Sequence, residues 1–182
     1  TTLTYTKNKN KVLKLSEGKS FVEDGKYLIE EGSPLGQWFG QKALGIYATD
    51  EANAYIKNGD GSFGDRLIPV YQRDPNNYNN YIYGSNGKPI FSHYETKGGQ
   101  KYAGDVGQMT TAGSVSKGGD IIWDDLDHDG VIGDSDRRIL GNGMPTWYMG
   151  WTNYLNYKNF SLSFSFYGSF GNKIYNKQRR DL

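Results

Sequence analysis

The residues best suited to chemistry form an acidic stretch at 125–136, which reads DLDHDGVIGDSD. Counted from its first residue, oxygen donors fall at positions 1, 3, 5, 7 and 12, namely Asp125, Asp127, Asp129, the backbone carbonyl of Val131, and Asp136. A glycine at position 6 allows the sharp bend that wraps such donors around one centre, and Ca²⁺ takes six to eight oxygen ligands. The spacing therefore predicts a structural calcium loop. The alternative is an Asx-rich turn whose carboxylates are only solvated.

Five tyrosines set among asparagine and glycine are candidate contacts for a ligand or a partner protein: Tyr71, Tyr78, Tyr81, Tyr83 and Tyr94. Tyrosine rings combine a large apolar face with a polar hydroxyl, so they suit both sugar stacking and protein recognition. The alternative is that these rings pack the surrounding loops together in a region that has few aliphatic residues. The sequence leaves both interpretations open.

Catalytic patterns are absent from the sequence. It contains no cysteine and two histidines, His93 and His128, neither of which lies in a zinc-protease or nucleophile-elbow motif. The glycine run at 59–64 fits a dinucleotide pattern, but no hydrophobic strand precedes it and no helix follows it. We therefore predict no enzymatic activity.

Composition narrows the class of protein further. The chain has 182 residues with a formal net charge of +1, whereas nucleic-acid binders need a basic excess that tracks phosphates. Aromatic residues make up 15% of the chain, which argues against disorder. No apolar run approaches the ~18 residues of a membrane helix, although a barrel strand crosses in ~9–11 alternating residues.

The elements that must position these residues are mostly strands and turns, and the best helix candidate is a turn or two at 49–57. Two strands near the end of the chain alternate strictly, and a tight turn at Lys158 and Asn159 joins them. In the second strand Phe160, Leu162, Phe164 and Phe166 alternate with serines. One face is therefore apolar and the other carries hydroxyls. The apolar face could meet another sheet in a soluble sandwich or lipid in a barrel. The short turn and the aromatic residues near the strand ends favour the barrel.

Several blocks of the sequence resemble one transporter family. They are TYTKNKNKV at 4–12, GSPLGQWFG at 32–40, LGIY at 44–47, GDIIWDDLDHDGVI at 119–132 followed by DR, LGN and Pro145, and GSFGNKIYN at 168–176. Together with the strand at 150–157, they resemble the C-terminal barrel region of the SusC/RagA-type TonB-dependent outer-membrane transporters. The blocks occur in the order that this family has.

The resemblance implies antiparallel strands and long surface loops from the C-terminal part of a 22-stranded transmembrane β-barrel. It divides the chain into a barrel strand at 1–6, a mostly extracellular region with short strands and the acidic loop at 7–146, a transmembrane β-hairpin at 147–168, and the start of the next extracellular loop at 169–182.

The function implied by the resemblance is nutrient import through the outer membrane of a Gram-negative bacterium. The substrate would be an oligosaccharide or peptide, taken up with a SusD-like surface lipoprotein. TonB would act through N-terminal parts outside this chain, the strands would touch outer-membrane lipid, and the loops would face the cell surface. The alternative is a secreted β-sandwich carbohydrate-binding module with a structural calcium, in which the chain itself buries the apolar strand face.

Overall fold

The structure is a computed structural model that describes residues 1–176. Strands account for 48% of the described residues and helix for 3%, which confirms the mostly β class. The chain divides into two compact units, the first formed by residues 1–40 together with those from 138 onward, and the second by residues 41–137.

Among the described residues, no helix is long and apolar enough to cross a membrane.

Within residues 1–176 the helical content consists of two 3₁₀ turns, Asp50–Ala52 and Asp134–Asp136. The strands are β1 (Thr2–Lys7), β2 (Phe21–Glu23), β3 (Tyr27–Ile29), β4 (Gln37–Gly40), β5 (Ala43–Ile46), β6 (Tyr55–Lys57), β7 (Phe63–Arg66), β8 (Ile68–Tyr71), β9 (Arg73–Asp74), β10 (Asn77–Tyr81), β11 (Phe91–Glu95), β12 (Lys101–Tyr102), β13 (Val106–Gly107), β14 (Thr110–Thr111), β15 (Ser114–Val115), β16 (Ile121–Trp123), β17 (Val131–Ile132), β18 (Arg138–Asn142), β19 (Trp147–Tyr157) and β20 (Phe160–Phe170).

The first unit contains a three-stranded antiparallel sheet in the order β1-β19-β20. The two long strands, β19 and β20, have 11 residues each and are joined by a two-residue turn. In that turn Lys158 adopts a φ of 51°, a backbone conformation that residues other than glycine rarely take. The strand pair that the alternation predicts is therefore formed, and it continues to Phe170.

The register of this sheet places apolar side chains opposite one another. Trp151 lies opposite Phe166, and Leu155 opposite Leu162, while Leu3 of β1 lies opposite Trp151 on the other side. Because side chains alternate along a strand and directly opposed residues share a face, all five project from one face. The other face carries small and polar residues, namely Thr2, Thr4, Thr6, Gly150, Thr152, Asn156, Ser161, Ser163, Ser165 and Ser169, together with the tyrosines at 148, 154 and 167.

The apolar face is open. The exposed fractions are 79% for Phe160, 59% for Leu162 and 61% for Phe166. Phe164 is partly covered by its own neighbours, since its ring makes edge contacts with the rings of Trp151 and Phe166. The described residues do not bury this face.

A second sheet in the first unit has the order β18-β4-β3-β2. Its centre is Trp38 on β4, whose ring packs against Tyr27 of β3 at 4.5 Å and stacks on Tyr175 at 5.6 Å between centroids. The indole nitrogen of Trp38 donates a hydrogen bond to the carbonyl of Lys173 at 2.9 Å. Trp38 therefore ties residues 173–175 to the sheet.

The second unit is built from small sheets, in the orders β10-β9, β12-β11-β8, β13-β6-β7, β15-β14-β17 and β16-β5. The pairing of β14 with β17 is parallel, whereas the other strand pairs are antiparallel. Its core consists of Tyr47, Ala52, Tyr55, Met109 and Ile122, with Phe63 packed against it.

The segment at 49–57 is not the turn or two of helix that the sequence suggests. A single 3₁₀ turn at Asp50–Ala52 is followed directly by strand β6. The reason is Asn53, which is fully buried and forms hydrogen bonds to distant backbone. Its side-chain amide donates to the carbonyls of Met109 and Ser116, and its side-chain oxygen accepts from the amide of Met109. These contacts stop the helical turn from continuing.

Candidate functional sites

The acidic loop brings three of its carboxylates together. Oxygen atoms of Asp125, Asp127 and Asp136 all lie within 4.8 Å of one another. Asp136 is fully buried, Asp125 is almost so, and Asp127 is exposed. Three carboxylates this close repel one another, so the arrangement suits a cation that would neutralise them.

Backbone amides fix the two buried carboxylates. Asp125 accepts hydrogen bonds from the amides of His128 and Gly130, at 2.8 and 2.9 Å. Asp136 accepts from the amides of Leu126 and Gly133, at 2.8 and 2.7 Å. Each of these four carboxylate oxygens accepts one of these bonds, and a carboxylate oxygen has about two acceptor sites. Each oxygen could therefore also contact a cation.

The remaining two predicted ligands are placed differently. Asp129 does not belong to the group of three carboxylates, and one of its oxygens accepts a hydrogen bond from the amide of Val131 at 2.7 Å. Val131 begins strand β17 and lies opposite Thr110 in the parallel pair. The structure thus gathers three of the five predicted residues, and Asp129 instead supports the turn.

The environments of these carboxyls differ. Burial raises the pKa of the Asp125 carboxyl, and hydrogen bonds from Gly130 and His128 oppose that effect. The exposed Asp127 has a lowered pKa, mainly because the hydroxyl of Ser135 donates a hydrogen bond to it. The loop therefore holds one carboxyl that resists ionisation beside one that ionises readily.

The loop is anchored to the core of the second unit at its glycine. Gly130 has a φ of 79°, and a Cβ at this position would overlap the ring of Phe63. The carbonyl of Gly130 accepts from the amide of Thr110 at 2.9 Å, and the carbonyl of His128 accepts from the amide of Phe63 at 2.8 Å. A change in the loop would therefore reach the core directly.

Three of the five candidate tyrosines pack within the second unit. The ring of Tyr71 makes edge contacts with Tyr81 and Phe91, and Phe91 contacts Tyr94. Burial raises the pKa of both Tyr71 and Tyr94. The hydroxyl of Tyr71 also donates to Glu51 at 3.2 Å. These contacts give Tyr71, Tyr81 and Tyr94 a packing role.

The other two candidate tyrosines are exposed, Tyr78 by 79% and Tyr83 by 59%. The guanidinium of Arg73 lies 4.1 Å from the centroid of Tyr81 and 5.9 Å from that of Tyr78, and it donates to the carbonyl of Tyr78 at 3.2 Å. Tyr78 is therefore held in place while one side of its ring faces solvent. It is the best placed of the five for an external contact.

Sequence reasoning missed the buried polar groups of the second unit. The hydroxyls of Tyr47 and Tyr55 lie 2.9 Å apart in its core, and burial raises the pKa of both. Asn53 was missed as well. The local sequence around these residues gives no signal for such contacts, because their partners are distant in the chain or depend on the packing of the core.

Comparison with known proteins shows which family the chain belongs to. No family model matches the chain. Among curated proteins, the chain is 37% identical to the TonB-dependent receptor P39 of Formosa agariphila over 176 residues, which is 96% of this chain. This chain is also 24% identical to the TonB-dependent receptor P3 of the same organism, over 97% of this chain. It is 38% identical to the TonB-dependent receptor P26 over 63 residues.

The chain therefore belongs to the family of TonB-dependent receptors, which are outer-membrane proteins. The match extends beyond the sequence blocks that first indicated it, since it also includes most of the second unit. The chain spans 15% of the length of the first of these relatives and 13% of the second.

Proposed function

We propose that this chain supplies part of the wall and part of the outer mouth of a TonB-dependent nutrient importer. Strands β1, β19 and β20 form neighbouring transmembrane strands, and residues 7–146 lie mostly on the extracellular side. The apolar face of the sheet contacts lipid, and the face with serine and threonine lines the aqueous lumen. The chain has no catalytic role.

The observation that carries this proposal is the exposed apolar face of the β1-β19-β20 sheet. Its two long strands have 11 residues each, close to the ~9–11 residues that a tilted strand needs to cross the hydrocarbon layer. Trp147 and Phe170 lie together at one end of the sheet, near Tyr5. Aromatic residues at this position are typical of the girdles at membrane interfaces.

The alternative of a secreted β-sandwich requires a second layer over these side chains. In a soluble sandwich the inner faces of two sheets interdigitate and bury their apolar residues. Phe160, Leu162 and Phe166 are each more than half exposed, and the described residues form no such layer. A soluble protein rarely leaves an apolar patch of this kind uncovered.

Single cysteines test the assignment of the two faces in the full-length receptor, expressed in the outer membrane. A cysteine introduced as Phe166→Cys would face lipid and react slowly with a water-soluble maleimide. The matched change Ser165→Cys, one residue earlier, would face the lumen and react quickly. Fast reaction at both positions would contradict the proposed orientation, because one of them must be shielded.

We further propose that the importer is of the SusC/RagA type and takes up an oligosaccharide or a peptide together with a SusD-like lipoprotein. The sequence blocks at 32–40 and 119–132 support this subclass. Co-purification of a co-expressed lipoprotein with the full-length receptor, followed by substrate titration of the pair, tests both parts.

We propose the exposed rings of Tyr78 and Tyr83 as contacts for the substrate or the lipoprotein. Replacing both with alanine should then weaken one of these interactions.

A structural Ca²⁺ in the acidic loop is a separate proposal. The convergence of Asp125, Asp127 and Asp136 supports it. Asp129 and the carbonyl of Val131, which lie outside this group, are the further donors that the spacing predicts. Hard cations such as Ca²⁺ prefer carboxylate and carbonyl oxygens. The ion would neutralise the loop beside Phe63 and so hold two parts of the second unit together.

Calcium titration of the full-length receptor by calorimetry tests this site. The double change Asp127→Ala with Asp129→Ala should abolish binding. Glu17→Ala with Asp105→Ala removes the same charge from exposed positions outside the loop and should leave binding intact. Unchanged affinity in the loop variant would remove the site.

A further inference from the structure

A row of lysines continues β1 beyond the apolar face of the sheet. The first sixteen residues of the chain contain four lysines, at 7, 9, 11 and 14, and no acidic residue. Lys7 is the last residue of β1 and lies opposite Trp147, on the face that carries Leu3 and Tyr5. A cationic side chain therefore follows directly after the apolar residues on the same face.

The contact of β1 with its neighbour continues one residue beyond Lys7. The amide of Asn8 donates to the carbonyl of Thr146 at 2.9 Å, which extends the contact between these segments by one residue. The side-chain oxygen of Asn10 accepts a hydrogen bond from the amide of Leu35, just before β4, at 2.7 Å. Lys9 follows two residues after Lys7, and its side chain is exposed.

These ammonium groups have no acidic partner among residues 1–176. Lys7 and Lys9 are exposed, and neither forms an ion pair with a described carboxylate. Glu30 and Glu31 lie on the segment that pairs with Val12, but Glu30 accepts a hydrogen bond from Ser33 and Glu31 accepts one from the amide of Leu15. Both lysines are available to an external anion.

The distance of Lys7 and Lys9 from the apolar part of the sheet matches the thickness of the lipid headgroup layer. Two residues of chain span at most about 7 Å, or about 5 Å along the membrane normal at a tilt of about 45°. The headgroup layer on each side of the hydrocarbon core is roughly 5–7 Å thick. If the ring of Trp147 marks the edge of the hydrocarbon, Lys7 and Lys9 both lie among the headgroups.

From this placement we propose that Lys7 and Lys9 bind the phosphate groups of an anionic lipid in the outer leaflet. The inference depends on the proposed function, because it requires β1 to lie in the membrane wall. Lysine ammonium groups bind phosphate as point charges, and basic residues near an anionic surface are attracted to it. The rings of Tyr5 and Trp147 lie beside the acyl chains of the same lipid.

The test measures lipid binding to the full-length receptor by native mass spectrometry. The ligands are phosphorylated lipid A and the same lipid after removal of its phosphates. The variant Lys7→Gln with Lys9→Gln keeps the side-chain lengths similar and removes both charges. The control, Lys57→Gln with Lys101→Gln, removes two exposed charges from the second unit.

We expect the Lys7 and Lys9 variant to bind phosphorylated lipid at least about tenfold more weakly than the control, and the difference to vanish with the dephosphorylated lipid. Equal binding by the two variants would overturn the inference. The cysteine labelling described above separates this result from failure of the proposed function. If Phe166→Cys reacts slowly with the maleimide but the lysine changes do not affect lipid binding, only the binding of lipid phosphates is refuted. If Phe166→Cys reacts quickly, the proposal that these strands form part of the membrane wall is refuted.

Discussion

The indole ring of Trp147 stacks on the ring of Phe170, with centroids 3.9 Å apart and planes inclined by 9°. The two residues lie directly opposite each other at the open end of the β19-β20 pair, and the amide of Thr146 donates to the carbonyl of Phe170 at 2.9 Å. The stack therefore closes the end of the strand pair that lies away from the turn.

A double-mutant cycle on this pair should show coupling. Aromatic pairs contribute about 0.5–1.5 kcal/mol beyond the area they bury, so Trp147→Ala and Phe170→Ala should be less than additive by about that amount. The measurement is the unfolding free energy of the full-length receptor in urea with detergent micelles. Tyr154→Ala and Ser163→Ala, which are also directly opposed but form no ring pair, provide the control cycle. Strict additivity at 147 and 170 would show that the stack adds nothing.

A charge on the apolar face should block assembly, whereas the same charge on the other face should be tolerated. Phe166→Arg places a guanidinium toward lipid near the middle of β20, at a cost of about 2–4 kcal/mol. Ser165→Arg directs the same group into the lumen. We expect the amount of folded receptor in the outer membrane, measured by its resistance to SDS before heating, to fall only for Phe166→Arg. An equal loss from both changes would contradict the assignment of the faces.

Removing the side chain of Asn53 should loosen the second unit. Asn53→Ala leaves the amide of Met109 and the carbonyl of Ser116 without their partner, at a cost of about 1–3 kcal/mol for each buried group left unsatisfied. Hydrogen exchange of peptides covering 107–117 should become faster. Asn58→Ala at an exposed turn is the matched control. If exchange in that region does not change, the hydrogen bonds of Asn53 are not what holds the unit together.

The pair formed by Tyr47 and Tyr55 makes the second unit sensitive to alkali. Burial raises the pKa of both hydroxyls, so the folded state binds their protons more tightly than the unfolded chain does, whose tyrosines have a pKa of about 10. The stabilisation is complete below about pH 10 and declines as the pH rises from there toward the raised pKa of the folded state.

Pulse proteolysis of the second unit between pH 8 and pH 11 measures this effect. The wild-type protein should lose resistance more steeply above about pH 10 than Tyr47→Phe, which has one hydroxyl fewer to ionise. The two profiles should therefore converge at high pH. Parallel profiles would show that the pair does not control alkaline stability.

The sequence by itself determined the features that depend on neighbours along the chain. The alternation from Phe160 to Phe166 defines two faces, because the pleat of a strand has a period of two whatever surrounds it. The spacing of carboxylates at 125–136 defines a loop in which Asp125 and Asp136 accept hydrogen bonds from backbone amides within the same twelve residues. The blocks at 32–40 and 119–132 also indicated a TonB-dependent transporter, and comparison confirmed membership of the TonB-dependent receptors.

Only the tertiary structure decided which segments distant in the sequence contact one another. Asn53 binds the backbone of Met109 and Ser116, and this long-range contact replaces the turn or two of helix that local propensity favours at 49–57. The structure also separated the packed Tyr71 from the exposed Tyr78, which lies seven residues later in the chain. Burial and long-range hydrogen bonds are properties of the assembled chain, because they arise only when segments far apart in sequence come into contact.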